Sequence, residues 1–137
     1  LIDKCGVYLI ICGSKNDINI AQSIASLMKN KPVDLTGRTS ILQMAALIEL
    51  SSLCICLDSG PMHMAGALKK PVIGLFGPNH PDSCAPWTEK SRLLYHSLPC
   101  SKSCTETEDM HCNAECMKRI TCEEVLEAVN NFHKELA

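Results

Sequence analysis

The sequence predicts an α/β fold built on an open parallel sheet, and three observations carry that reading. Apolar runs without polar alternation cover residues 6–12, 53–57 and 72–76, as expected of strands covered on both faces. Between them, apolar residues recur at helical spacing. Strand and helix therefore alternate on a beat of roughly 20–30 residues, the sign of right-handed crossovers between parallel strands.

The elements follow in order. Gly6-Val7-Tyr8-Leu9-Ile10-Ile11-Cys12 reads as a buried strand ending at Gly13. After the loop Gly13-Ser14-Lys15-Asn16-Asp17, Ile18, Ala21, Ile24, Ala25 and Met28 mark one helix face. Pro32-Val33-Asp34-Leu35 is a short extended piece, turned by Thr36-Gly37-Arg38. Thr39 or Ser40 caps the next helix, with Leu42, Ala45, Ala46, Ile48 and Leu50 as its apolar side. A strand over 53–57 leads through Asp58-Ser59-Gly60 into a helix begun by Pro61, since proline suits the first helical turn. Val72-Ile73-Gly74-Leu75-Phe76 is the third core strand, followed by a Gly-, Pro- and Asn-rich loop over 77–86. Arg92-Leu93-Leu94-Tyr95 is an edge strand, and Thr121 with Glu124 forms a capping box for a last helix over 121–136. Residues 1–137 thus form a single domain with a cysteine-rich insertion over 99–117.

Bulk properties exclude several classes. A net charge of -2 leaves no basic footprint for nucleic acid. No apolar run reaches the roughly 18 residues of a transmembrane segment, and the start has no signal-peptide layout. The chain opens on Leu1 rather than Met, almost directly on a strand, which points to a cut end. Cys12, Cys54 and Cys56 sit in apolar runs, where a free cysteine acts as a small hydrophobe, so a reducing cytoplasm is expected despite ten cysteines.

Ligands of open parallel sheets bind outside the carboxyl ends of the strands. Three loops qualify, over 13–17, 58–63 and 77–86, and the middle one is the most specific. Gly60 allows close backbone approach at a helix start, where unsatisfied amides and the positive dipole end favour phosphate. Ser59 adds a hydroxyl, and His63 lies about one turn into the helix. Asp58 is the odd member, because a carboxylate repels a phosphate; it orients its neighbours or accepts a sugar hydroxyl. The plainer alternative makes Asp58 and Ser59 simple caps and His63 a packing residue.

Four ordered motifs sharpen this reading. Leu35-Thr36-Gly37-Arg38-Thr39-Ser40-Ile41-Leu42, Ala45-Ala46-Leu47-Ile48, Asp58-Ser59-Gly60-Pro61-Met62-His63-Met64-Ala65 and Pro71-Val72-Ile73-Gly74-Leu75-Phe76-Gly77-Pro78 together resemble glycosyltransferase family 9, the ADP-heptose:lipopolysaccharide heptosyltransferases. The resemblance extends upstream into residues 7–17 and downstream into Cys116-Met117-Lys118-Arg119-Ile120-Thr121. It implies the donor-binding, C-terminal Rossmann-like half of a GT-B enzyme, with an acceptor domain and an opening strand lying outside this chain. It also implies an inverting transfer that needs no metal or cofactor, from a nucleoside diphosphate sugar to a lipid-linked saccharide. The setting would be cytoplasmic, at most peripheral to the inner membrane. Asp58, Ser59, Gly60 and His63 would contact diphosphate and sugar, with His63 easing the leaving group. Asp17 would lie near the nucleotide ribose, Gly13 would belong to the donor-binding loop, and Thr36 and Gly37 would line the nucleotide side. The general base is expected in the other domain, so residues 1–137 alone should not catalyse transfer. The stretch Asn79-His80-Pro81 departs from the family's commoner Thr-Asp pairing after Gly-Pro, which leaves sugar specificity open; His80 itself reads as a solvated loop residue.

Cys100, Cys104, Cys112 and Cys116 give C-x3-C-x7-C-x3-C, looser than the usual C-x2-C zinc knuckle. Unlinked thiols are the default, with disulfides or zinc as alternatives. A zinc-bearing cysteine lobe would fit a different function, a non-catalytic nucleotide-binding module. An NAD-dependent oxidoreductase is disfavoured, because no G-x-G-x-x-G follows any strand.

Overall fold

The computed structural model describes residues 6–100 and 113–136. The chain falls into two compact units, Leu1–Ala46 and Leu47–Ala137.

In the first unit, β1 (Ile10–Ile11) pairs in parallel with β2 (Val33–Asp34). Backbone bonds extend this pairing: Val33 N–H to Leu9 O, Leu35 N–H to Ile11 O and Gly37 N–H to Gly13 O, each 2.9 Å. The strand expected over 6–12 is therefore shorter than its apolar run, and Ile10 stays 44% exposed. A 3-10 turn, Lys15–Asp17, leads into α1 (Ile18–Leu27), which packs against β2 and buries Ala21. Ser40, not Thr39, starts α2 (Ile41–Leu50). Its N–H donates to Gln43 Oε1 at 2.9 Å while Gln43 N–H donates to Ser40 Oγ at 3.3 Å, a reciprocal capping box.

The second unit holds a three-stranded parallel sheet in the order β3 (Cys54–Leu57), β4 (Val72–Phe76), β5 (Ser91–Tyr95). Side chains alternate between sheet faces, and Val72, Ile73 and Phe76 are all 0% exposed, so both faces of β4 are covered. The covering helices are α3 (Gly60–Ala67), α5 (Glu115–Lys118) and α6 (Cys122–Leu136). β3 departs from its expected burial. Among the described residues its one ladder is with β4, and Ile55 and Leu57 remain 37% and 57% exposed. A short helix, α4 (Pro81–Cys84), occupies the loop over 77–86, and neither it nor α5 is signalled by periodicity. Both are single turns, too short to carry a hydrophobic period.

The expected box at the last helix forms. Thr121 N–H donates to Glu124 Oε2 at 2.7 Å, and Glu124 N–H donates to Thr121 Oγ1 at 3.2 Å. His96 Nε2 meets Glu124 Oε1 at 2.9 Å, tying the end of β5 to α6. The Thr121 amide, with smaller help from His96, holds the Glu124 carboxyl below its ordinary 4.5. A lowered folded value means that this stabilisation is complete above 4.5 and is lost as pH falls through the folded value. Glu124→Gln should therefore melt below the parent at pH 7, and the gap should close on acidification below 4.5. Circular-dichroism melts across that range check it; a gap independent of pH would remove the carboxylate from the account.

Candidate nucleotide-sugar site

The loops leaving β3 and β4 lie side by side at the carboxyl end of the sheet. Asp58 N–H still bonds Leu75 O at 3.3 Å, the last rung between the two strands. Ser59 then occupies the N-cap position of α3 with extended backbone, φ -160° and ψ 170°. Its hydroxyl does not cap the helix; it donates back to Leu57 O at 3.1 Å. The simple-cap alternative therefore fails for the Ser59 side chain. Pro61 has no N–H, and Met62 N–H turns tightly to Ser59 O at 3.0 Å. First-turn amides have no partner inside the helix. Gly60 stands there exposed, and a Cβ added to it meets nothing within 4 Å. The helix mouth is thus open to a ligand. His63, also exposed, lies three residues on and so on the same side as Gly60.

Asp58 faces elsewhere. Its Oδ2 accepts a 2.7 Å bond from Asn79 Nδ2, a link that ties the β3 loop to the β4 loop. Beside this pair lies a cavity of about 210 Å³ lined by Leu57, Leu75, Gly77, Pro78 and Met117. Gly77 has little room for a side chain, since an added Cβ would lie 3.3 Å from Met117 Sδ. The signals for Asn79 and Met117 were present in Gly77-Pro78-Asn79 and in the stretch before the last helix, but nothing in the sequence pairs an asparagine with Asp58. His80, expected as a solvated loop residue, is exposed and also has two contacts. Its Nδ1 accepts from Asp82 N–H at 3.3 Å, and its ring meets Tyr95 edge-on at 5.0 Å. A larger hollow, about 290 Å³, runs between β5 and α6. It lies along the side of the sheet, and two of its charged lining residues are engaged, Glu124 in the helix cap and Arg92 over the Phe132 ring at 5.2 Å, with Glu127 beside them.

The first unit gathers the other expected residues. Gly13 and Gly37 are joined by the bond between Gly37 N–H and Gly13 O, and Gly37 adopts φ 71°, where a side chain would be strained. Asp17 Oδ2 accepts from Ser14 N–H at 2.7 Å and Ser14 Oγ at 2.6 Å. The Ser14 hydroxyl and amide hold its carboxyl below the usual range, although the group is fully exposed. Asp17 is thus a capping residue as well as a candidate ligand; both bonds fall on one oxygen. Thr36 is 5% exposed, and its hydroxyl and N–H beside Asp34 hold that carboxyl low; the N–H bond is 2.9 Å, whereas the buried hydroxyl falls outside hydrogen-bond geometry.

In the cysteine segment, Cys104 and Cys112 lie outside the described residues. Cys116 is buried on α5, next to Gly77, so this segment's end packs against the β4 loop. Among the described residues no group of three His, Cys, Asp or Glu is placed to hold a metal. None of their helices is long and apolar enough to cross a membrane.

Parallel strands, crossover helices and a glycine at an open helix mouth beside the strand ends define a Rossmann-like α/β protein. This chain belongs to glycosyltransferase family 9, the heptosyltransferases, whose family model matches residues 2–114. It is 35% identical over 90 residues to the lipopolysaccharide core heptosyltransferase OpsX of Haemophilus influenzae, covering 64% of this chain and 26% of the relative. The structure is similar to that of Escherichia coli ADP-heptose lps heptosyltransferase II, with a TM-score of 0.78 at 27% identity over 95% of this chain. A family 9 glycosyl transferase from Veillonella parvula gives a TM-score of 0.81 at 26% identity over 95% of this chain. The chain spans 38% and 37% of those two proteins.

Proposed function

We propose that this chain supplies the donor-binding half of an inverting glycosyltransferase that moves a heptose from a nucleoside diphosphate, ADP by preference, to a lipopolysaccharide core acceptor. The observation that carries the reading is the unobstructed mouth of α3, where exposed Gly60 and His63 flank amides suited to a diphosphate. As the glycosidic bond breaks, negative charge grows on the departing phosphate, and amide dipoles with the His63 imidazole N–H stabilise it. Asp58 accepts sugar hydroxyls, while Gly13, Asp17, Thr36 and Gly37 serve the nucleoside. The base that deprotonates the acceptor comes from a facing domain, and the reaction takes place at the cytoplasmic side of the inner membrane. The coverage of about two fifths of related structures supports this division of labour.

Calorimetric titration of the gene's full product with ADP, UDP and NAD tests the reading. ADP is expected to bind and NAD to give no heat, and residues 1–137 alone are expected to transfer no sugar. Absence of binding by every nucleoside diphosphate would overturn it.

A further inference from the structure

We propose that Asn79 is a positioning residue for sugar recognition: its side-chain amide holds the Asp58 carboxylate on the β4 side of the site, turned toward the donor's sugar and away from its phosphates. The inference rests on the nucleotide-sugar reading above and names what the turn at Asp58 needs in order to work. A carboxylate beside a phosphate-binding helix mouth is an electrostatic liability, because two anions a few ångströms apart repel strongly where water is scarce. The structure offers a remedy. Asp58 Oδ2 is bound at 2.7 Å to Asn79 Nδ2, across 21 residues of sequence and one step beyond the last backbone rung between β3 and β4. An ionised carboxylate only accepts, so the amide nitrogen must face it. The short distance fits a charge-assisted bond. The bond ties the carboxylate to the β4 loop and stops it from swinging over the Gly60 amide end of α3.

The neighbouring cavity fits the same role. Leu57, Leu75, Pro78 and Met117 give it apolar walls, and Asp58 and Asn79 are its polar side chains. A sugar presents C–H faces and a rim of hydroxyls, which is what an apolar hollow with a few fixed polar groups selects. Asp58 keeps Oδ1 to accept one hydroxyl, and Asn79 keeps a carbonyl oxygen and a second N–H for others. A diphosphate finds no donor cluster there.

The alternative is that the bond only staples two loops, and the test separates the two. In the gene's full product, Asn79→Ala is expected to leave ADP affinity within about twofold while weakening the ADP-sugar about tenfold or more, as loss of a hydrogen bond to a charged group implies. Asn79→Asp gives a second readout within one folded protein. Two carboxylates at this spacing titrate as a pair, and one of the two apparent pKa values is raised. Taken as a ratio to the parent at each pH, so that any response common to both proteins cancels, sugar-nucleotide affinity should therefore be low at pH 8 and recover toward roughly pH 5, where one shared proton restores the contact. Equal weakening of ADP and ADP-sugar, an unchanged Asn79→Ala, or an Asn79→Asp without pH recovery would each overturn the inference. A parent protein that binds no nucleotide overturns the functional reading as well, so the two failures are distinguishable.

Discussion

Phe76→Ala is expected to cost about 3–5 kcal/mol, the largest stability loss of any single truncation in the second unit. Phe76 ends β4, the middle strand of its sheet, and is 0% exposed together with Met62, Val72 and Ile73. Its ring is packed through an absence. A Cβ added at Gly74 would lie 3.0 Å from Phe76 Cε2, 2.9 Å from Leu93 Cδ2 and 3.1 Å from Met62 Sδ. Gly74 is thus the slot that lets strand, ring and α3 close on one another, and Gly74→Ala should cost about 1–3 kcal/mol by overpacking. The two effects share one space. Gly74→Ala combined with Phe76→Leu should cost less than the sum of the single changes, because the smaller side chain admits the new methyl. Urea unfolding followed by circular dichroism measures all of these. A cost below about 1 kcal/mol for Phe76→Ala would mean that the site collapses freely and that the close packing around Gly74 carries little energy.

Legibility followed the length of the elements. The run Val72–Phe76 was readable to the residue because four of its five side chains are apolar and its fifth position, Gly74, is the packing slot just described. The Thr121 and Glu124 pair announced the last helix because capping is a local, fixed-spacing interaction. Local chemistry also hid things. Ser14 and Asp17 carry the same reciprocal geometry, whereas the family resemblance points Asp17 only toward the nucleotide ribose. Burial was the least readable property. An apolar run such as 53–57 states that a strand prefers cover on both faces, but only the elements packed against it decide whether it has that cover, and in β3 Ile55 and Leu57 keep 37% and 57% of their surface. The same limit applies to the site. Gly60 and His63 could be named from the helix start, whereas Asn79 reaches Asp58 only because two parallel strands place their following loops side by side.

His63→Ala is expected to lower turnover of the gene's full product about 10²–10³-fold, the range for losing one donor that stabilises a developing oxyanion. The structure makes this a clean substitution. His63 is exposed on the first turn of α3, and the neighbours that hold that helix to the sheet are Met62 and Ala65, each 0% exposed. Removing the imidazole should therefore change stability by no more than about 0.5 kcal/mol. A rate loss then cannot be assigned to unfolding. The split between binding and chemistry decides the role. A ligand that only anchors the ground state would raise KM and spare kcat, whereas a donor that acts on the leaving phosphate lowers kcat and kcat/KM together. ADP affinity, measured on the same variant, should fall far less than the rate does, because charge on the departing oxygen builds up only as the glycosidic bond breaks. A variant that keeps its kcat would leave the amides of α3 as the sole electrostatic element at that helix mouth and reduce His63 to a surface residue.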